Sequence, residues 1–332
     1  MDVLSSVIRK VRTDHKYGKL IVKPSYVYGT FDSHAVDCPF VFRYEGRFLM
    51  TFVGWDSIGY RAGMAESDDL VSWKKIGMII DRGPEGSITE FNVALTSILR
   101  DNELFGSGEL RKVDGKYVGT YHAYPGEGYE VGAGVIGLCY SDDLMRWKIG
   151  DPVLLPEDRY RWESGGMYKS WLMEKDGTFY LFYNAKNITT GDWKERIGFA
   201  YSDDLLTWKK YHGNPVLSTG SPGSFDDRFV SDPCVFQYND IWVLFYFGAS
   251  SDGHARDSAA YSTDFITWNK TNIVLLDVGP PGSIDSKYAH KPSLIAKNTT
   301  LYHFYCAVSP SEGRNTGTTE MKEIRGISFA KS

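Results

Sequence analysis

The chain has 332 residues, with 37 basic against 42 acidic side chains and a net charge of −5, a balance that argues against generic nucleic-acid binding. Its first ten residues lack the apolar core of a secretory leader, and no later run is apolar for long enough to span a bilayer, so a cytoplasmic location without a membrane partner is expected. Cys38, Cys139, Cys234 and Cys306 lie in strand-like stretches without metal-ligand spacing and read as buried free thiols of a reducing compartment.

In chain order, residues 1–14 are expected as a short helical lead-in. A turn phrase then recurs: Tyr44-Glu45-Gly46-Arg47-Phe48, Val113-Asp114-Gly115-Lys116-Tyr117, Lys175-Asp176-Gly177-Thr178-Phe179, Tyr238-Asn239-Asp240-Ile241-Trp242 and Lys297-Asn298-Thr299-Thr300-Leu301. Asn, Asp and Gly tolerate the positive φ of a two-residue hairpin turn, and the aromatic alternation that follows suits a half-buried strand. A second phrase keeps step with it: Ser67-Asp68-Asp69-Leu70 up to Trp73, Ser141-Asp142-Asp143-Leu144 up to Trp147, Ser202-Asp203-Asp204-Leu205 up to Trp208, and Ser262-Thr263-Asp264-Phe265 up to Trp268. Ser and Asp side chains bond local backbone in turns, and a motif present in nearly every repeat belongs to the scaffold.

Each repeat parses into four strands. One leads into the Gly turn, the aromatic strand follows, a third precedes Ser-Asp-Asp (197–201 in the third repeat), and an outermost one follows the Trp (215–217). A radial array of such units is an all-β five-bladed β-propeller with four-stranded antiparallel blades. The last repeat ends after its third strand, so the ring is expected to close through an N-terminal strand at 20–23. The whole chain, 1–332, then forms a single domain.

First strands of a propeller converge on the axis, and their entries line a central funnel. An acidic residue recurs after an aromatic or apolar one as Asp32, Glu163, Asp226 and Asp285. Farther along, the repeats differ: Asp37-Cys38, Tyr168-Lys169, Ser231-Asp232 and His290-Lys291. Repeat-specific charge at a shared, axis-near position marks a site, because buried charges must pair with each other or with a ligand. The second repeat fits poorly, with Glu103 and Glu109 inserted before its turn.

The Asp-Pro strand entries, Gly-turn-aromatic strands and Tyr-Ser-Asp-Asp-Leu phrases resemble the five-bladed propeller glycosidases. That group holds the family 43 arabinanases, xylosidases and arabinofuranosidases, the invertase-like enzymes and the mannoside phosphorylases. The resemblance implies a glycosidase acting on a plant- or microbe-derived oligosaccharide or glycoside through paired carboxylates. It implies an Asp general base from the first repeat, a second Asp and a Glu general acid. Asp37 matches the base approximately, since Cys38 separates it from Pro39 and would turn its side chain away unless a bulge intervenes. Asp32 competes for that role, Asp232 directly precedes Pro233, and Glu163 and Glu109 are the acid candidates. The resemblance also places His290 beside a central ion or water. No cofactor or catalytic metal is expected, and a structural Ca²⁺ would sit near His290.

Such chemistry needs one protonated acid at the leaving oxygen and one ionised carboxylate opposite, with a crowded carboxyl kept protonated near neutrality. Trp55, Trp162, Tyr124 and Tyr129 are placed to stack on sugar faces. Lys169, Arg228 and Lys291 suit a carboxylated sugar or inorganic phosphate, so phosphorolysis is the alternative to hydrolysis. A non-catalytic carbohydrate-binding propeller is a third reading.

Overall fold

The computed structural model describes residues 3–157, 161–188, 193–311 and 322–332. The recurring turn phrase closes tight hairpins. Glu45-Gly46, Asp114-Gly115 and Asp176-Gly177 have positive φ at both positions, as do Asn239 and Asn298 at the first. That backbone twist matches the strands that the turns join. The Ser-Asp phrases are local caps: Leu70 N–H donates to Ser67 Oγ at 2.9 Å and Ser72 N–H to Asp69 Oδ1 at 2.7 Å. The pattern repeats at Ser262 and Asp264, and the indole N–H groups of Trp73, Trp147 and Trp208 close onto the carbonyls of Leu70, Leu144 and Leu205.

Helix α1 (Val3–Val11) leads the described residues, and strands are the main regular structure of the remainder. The strands are β1 (His15–Lys16), β2 (Ala35–Tyr44), β3 (Arg47–Trp55), β4 (Tyr60–Ser67), β5 (Lys74–Ile80), β6 (Ala94–Ile98), β7 (Lys112–Val113), β8 (Lys116–Ala123), β9 (Val135–Ser141) and β10 (Lys148–Leu154). They continue with β11 (Met167–Lys175), β12 (Thr178–Asn187), β13 (Lys194–Ser202), β14 (Lys209–Lys210), β15 (Phe229–Tyr238), β16 (Ile241–Ala249), β17 (Ala255–Ser262), β18 (Asn269–Leu276), β19 (Tyr288–Lys297), β20 (Thr300–Pro310) and β21 (Glu323–Lys331). They pair antiparallel in sets: β2 to β5; β6, β8, β9 and β10, with β7 as an extra partner of β8; β11 to β14; β15 to β18; and β19 to β21 with β1. Single parallel bridges, Glu195 to Phe229 and Gly134 to Gly166, and the two-rung ladder from Ala255–Arg256 to Tyr288–Ala289, stitch neighbouring sets.

Two expected strands move. The outermost strand of the third repeat is β14 rather than 215–217, where Leu217 makes one bridge to Ile197. The partner of β21 is β1, with His15 opposite Lys331, while Val22 in the expected segment contributes a single bridge to Ile327.

The recurring acidic class has a structural task. Asp32 pairs with Lys75 of β5, Glu163 with Lys210 of β14 at 2.5 Å, Asp226 with Lys270 of β18 at 2.5 Å, and Asp285 with Lys16 of β1 at 2.6 Å. Each carboxylate precedes the first strand of its set, and each lysine rides on the outermost, so one buried ion pair spans the set. Hydroxyls of Tyr183, Tyr246 and Tyr305, on the second strands, donate to Glu163, Asp226 and Asp285. Asp32 and Glu163, expected in the funnel, are therefore tied into the walls. Where the first strands meet, buried Arg100 donates to the carbonyls of Val41 and Leu294 and lies over Phe40, Trp171 and Phe236. Burial lowers its pKa to about 10.

Asp226→Asn leaves Lys270 facing a neutral amide, and breaking a buried pair on one side costs about 3 kcal/mol. Urea unfolding is expected to show that loss, and Asp226→Asn with Lys270→Met to recover much of it, because the lone buried charge is gone.

Candidate functional site

The site is made by a bulge. In the first strand of every set the register with the second strand slips: between Asp37 and Phe40, Leu95 and Ser97, Tyr168 and Ser170, Ser231 and Cys234, and His290 and Ser293. Cys38, Lys169, Asp232 and Lys291 stand at equivalent points with positive φ of 49°, 40°, 55° and 67°. Pro39, Pro233 and Pro292 follow three of them and have no N–H to leave unpaired. An extra residue in the strand breaks the strict alternation of faces, so both members of Asp37-Cys38, Tyr168-Lys169 and His290-Lys291 line one cavity. Asp37 is thus turned inward despite Cys38.

That cavity has a volume of about 550 Å³. The entries of the third strands add Tyr60, Glu195, Ala255 and Arg325; β8 adds His122; and the β8–β9 connection adds Tyr129 and Glu130. Trp55, Tyr60 and Tyr129 form one aromatic wall with ring centroids 5.1 to 6.0 Å apart. Trp193 against Phe229, with Arg228 over the latter, forms another.

Four acidic groups of the cavity differ sharply. Asp37 Oδ2 takes Lys291 Nζ at 2.7 Å and Arg325 Nη1 at 2.9 Å, and its Oδ1 accepts the Cys38 N–H at 2.8 Å. Burial alone would raise its pKa, but the two cations outweigh burial and hold it well below the usual carboxylate range. Asp232 is raised by burial against the pull of Lys291 and Lys169, and its Oδ2 is buried without a hydrogen-bond partner. Glu195, 4 % exposed, is pushed up to about 7 by burial and then by the neighbouring Glu130 charge, with Tyr168 and Ser231 opposing. Glu130 is ion-paired with Lys186 Nζ at 3.4 Å. That lysine lies over the rings of Trp193, Tyr124 and Tyr168.

Burial and the surrounding lysines depress His122 and His290 to about 3, so these two are neutral. His290 Nδ1 lies 3.1 Å from the Cys306 carbonyl, which only a protonated nitrogen can bond, leaving Nε2 as an acceptor. His122 Nδ1 accepts the Lys169 backbone N–H at 3.2 Å, so its proton is on Nε2.

Of the residues singled out from sequence, Asp37, Asp232, Lys169, Arg228, His290, Lys291, Trp55 and Tyr129 line this cavity. Asp32, Glu163, Glu109 and Trp162 do not. Glu109 is exposed, with its backbone bridged to Arg43. Trp162 stacks on Tyr183 at 5.6 Å and covers Gly198, where a Cβ would meet its ring at 2.7 Å. Tyr124 is buried behind the lining. Glu195, Glu130, His122 and Arg325 were not anticipated. Among the described residues no group of three or more His, Cys, Asp and Glu side chains is placed to hold a metal ion, and His290 is engaged with a carbonyl.

Residues 108–307 match the description "Glycosyl hydrolases family 32 N-terminal domain". The chain belongs to that family. It lies within the propeller glycosidase group that the strand phrases resemble, although the match is not to family 43. A solved structure of BT0996 described as an RGII complex is 31 % identical, with 99 % of this chain and 94 % of its own length covered, and superposes with a TM-score of 0.84. Another, described as a glycoside hydrolase, is 30 % identical over the same shares, with a TM-score of 0.83. Among curated proteins, a 1,2-beta-oligomannan phosphorylase of Thermoanaerobacter sp. (strain X514) is 26 % identical over 148 residues, 41 % of this chain and 49 % of the relative. The chain thus spans about half the length of the curated relatives it matches.

The raised Glu195 pKa predicts a pH-dependent stability difference. The unfolded chain loses this proton near the ordinary value of about 4.3, and the folded chain near 7. Stability contributed by the group is therefore highest below the first value, falls as pH rises between the two, and is level above. Glu195→Gln is expected to gain on the wild type across that window, by roughly 3 kcal/mol at pH 8. Urea denaturation at pH 4 and pH 8 measures this, and equal differences at both would refute it.

Proposed function

We propose that this protein cleaves a glycosidic bond by hydrolysis, with Glu195 as the general acid and Glu130 as the opposing carboxylate. The observation that carries the proposal is the coupling of these two groups. Burial and the Glu130 charge keep Glu195 protonated near neutrality, while Glu130 stays paired with Lys186. Holding one carboxyl protonated by burial and by the charge of a second is how acid and base roles are divided in glycosidases. Asp37, expected as the base, is a weak one with two cations on a single oxygen, and it serves better as the anchor for Lys291 and Arg325. The strand sets are taken as blades of one five-bladed ring, closed by β1 and forming a single domain, with the cavity as its funnel. An oligosaccharide substrate is supported by the aromatic walls and by the RGII complex of the similar BT0996 structure. Phosphorolysis is the second reading, favoured by the cavity's lysines and the oligomannan phosphorylase relative.

Turnover of a panel of aryl glycosides without phosphate is the test. Glu195→Gln is expected to lower kcat by ~10³-fold or more on poor leaving groups and much less on good ones, which need no proton. Glu130→Ala is expected to lose comparable activity and to regain part with azide. The alkaline limb of the wild-type pH profile should fall near 7, where Glu195 loses its proton, and vanish in Glu195→Gln. Equal losses on good and poor leaving groups would exclude Glu195 as the acid, and strict phosphate dependence would replace hydrolysis.

A further inference from the structure

The three cations that the sequence singled out have different fates. Lys291 is taken up by Asp37, and Arg228 is exposed over the Phe229 ring. Lys169 is different. It lines the cavity, is only 4 % exposed, and has no carboxylate within ion-pair distance and no side-chain hydrogen-bond acceptor among the described residues. Asp232 and Cys38 line the same cavity, but neither lies within ion-pair or hydrogen-bond distance of Lys169 Nζ. Beside Lys169, His122 is fixed by accepting the Lys169 N–H, and its Nε2–H has no acceptor among the described residues. A buried ammonium without an ion-pair partner is costly, and two donors in one cavity with no acceptor suit an oxyanion.

We propose that Lys169 Nζ and His122 Nε2–H form an oxyanion subsite on the cavity floor, filled by the carboxylate of a uronic-acid glycosyl unit or by inorganic phosphate. The two sources share one chemistry and differ in role. A carboxylate would orient the sugar to be released, and a phosphate would attack it. The identity of the rest of the ligand rests on the glycoside-cleaving reading; the subsite itself does not.

Isothermal titration of the wild-type protein with galacturonate, glucuronate, galactose, glucose and inorganic phosphate tests this without requiring turnover. A uronate is expected to bind about tenfold more tightly than its neutral counterpart, or phosphate to bind where neutral sugars do not. Lys169→Met and Lys169→Gln should each abolish the preference. A uronate preference with phosphate-independent turnover assigns the subsite to the glycosyl carboxylate, and phosphate binding with phosphate-dependent turnover assigns it to the attacking group. Indifference to charge in the wild type overturns the proposal, as does a preference that survives in a Lys169 variant with an unchanged melting temperature. If both Lys169 variants unfold, His122→Gln is read in the same titration, and an undiminished preference there also overturns it. Lys169-dependent oxyanion binding with no glycoside turned over would keep the subsite and remove the glycosidase reading.

Discussion

What the first strands bring to the cavity depends on one backbone constraint, the bulge in each of them. A regular strand alternates its side chains between faces, so only every second residue could reach the cavity. The bulge holds Cys38, Lys169, Asp232 and Lys291 at positive φ, a conformation that costs of order 1–3 kcal/mol for a side chain other than glycine. The ladder resumes on both sides of each slip, and those hydrogen bonds over-determine the strained residue. In exchange, neighbouring residues such as Asp37-Cys38 and His290-Lys291 both face inward, and the floor carries more charge than alternation would permit.

That charge is unevenly balanced. Asp37, Lys291, Arg325 and Glu323 are linked by hydrogen bonds, and this network fixes the side of the cavity built by the first and last sets. Elsewhere in the cavity, Asp232 Oδ2 is buried without a hydrogen-bond partner and Lys169 is buried without an ion-pair partner among the described residues. A protein can hold such groups only if the rest of the fold compensates, and the carboxylate–lysine pairs that span the walls supply part of that rigidity. The satisfied network frames the unsatisfied groups, and the proposed oxyanion subsite draws on the latter.

How much of this was legible follows from the range of the interactions. Hairpin turns and Ser-Asp caps are closed by residues two to four apart, so Glu45-Gly46 and Ser67-Asp69 declare themselves in the sequence. The inward residues of the first strands were also readable, because their differences between repeats stand out against a constant frame. The pairing of Glu163 with Lys210 spans 47 positions and leaves no local mark, which made a wall carboxylate look like a candidate acid. Glu195 and Arg325 did carry a signal. They sit three residues before Gly198 and Ser328, which face Tyr183 and Tyr305 on the second strands, at the register held by Tyr60 and Ala255 in other repeats. Comparing third strands as well as first ones would have exposed them. Glu130 lies in a connection with no counterpart elsewhere, so no comparison of repeats reaches it.

The seam between β1 and β21 has a consequence for how the molecule is made. His15 and Lys16 are translated about 300 positions before their partners Lys331 and Ala330. The last set therefore cannot complete its sheet, nor Asp285 find Lys16, until segments this far apart in the chain have met. Intermediate sets can form hairpin by hairpin from local contacts, but joining the ends requires closing a loop of nearly the full chain length. Until then the edge of β21 lies open, and an open edge is a template for another chain. In this fold the vulnerable interval lasts until β1 docks, and a segment of two paired residues ends it.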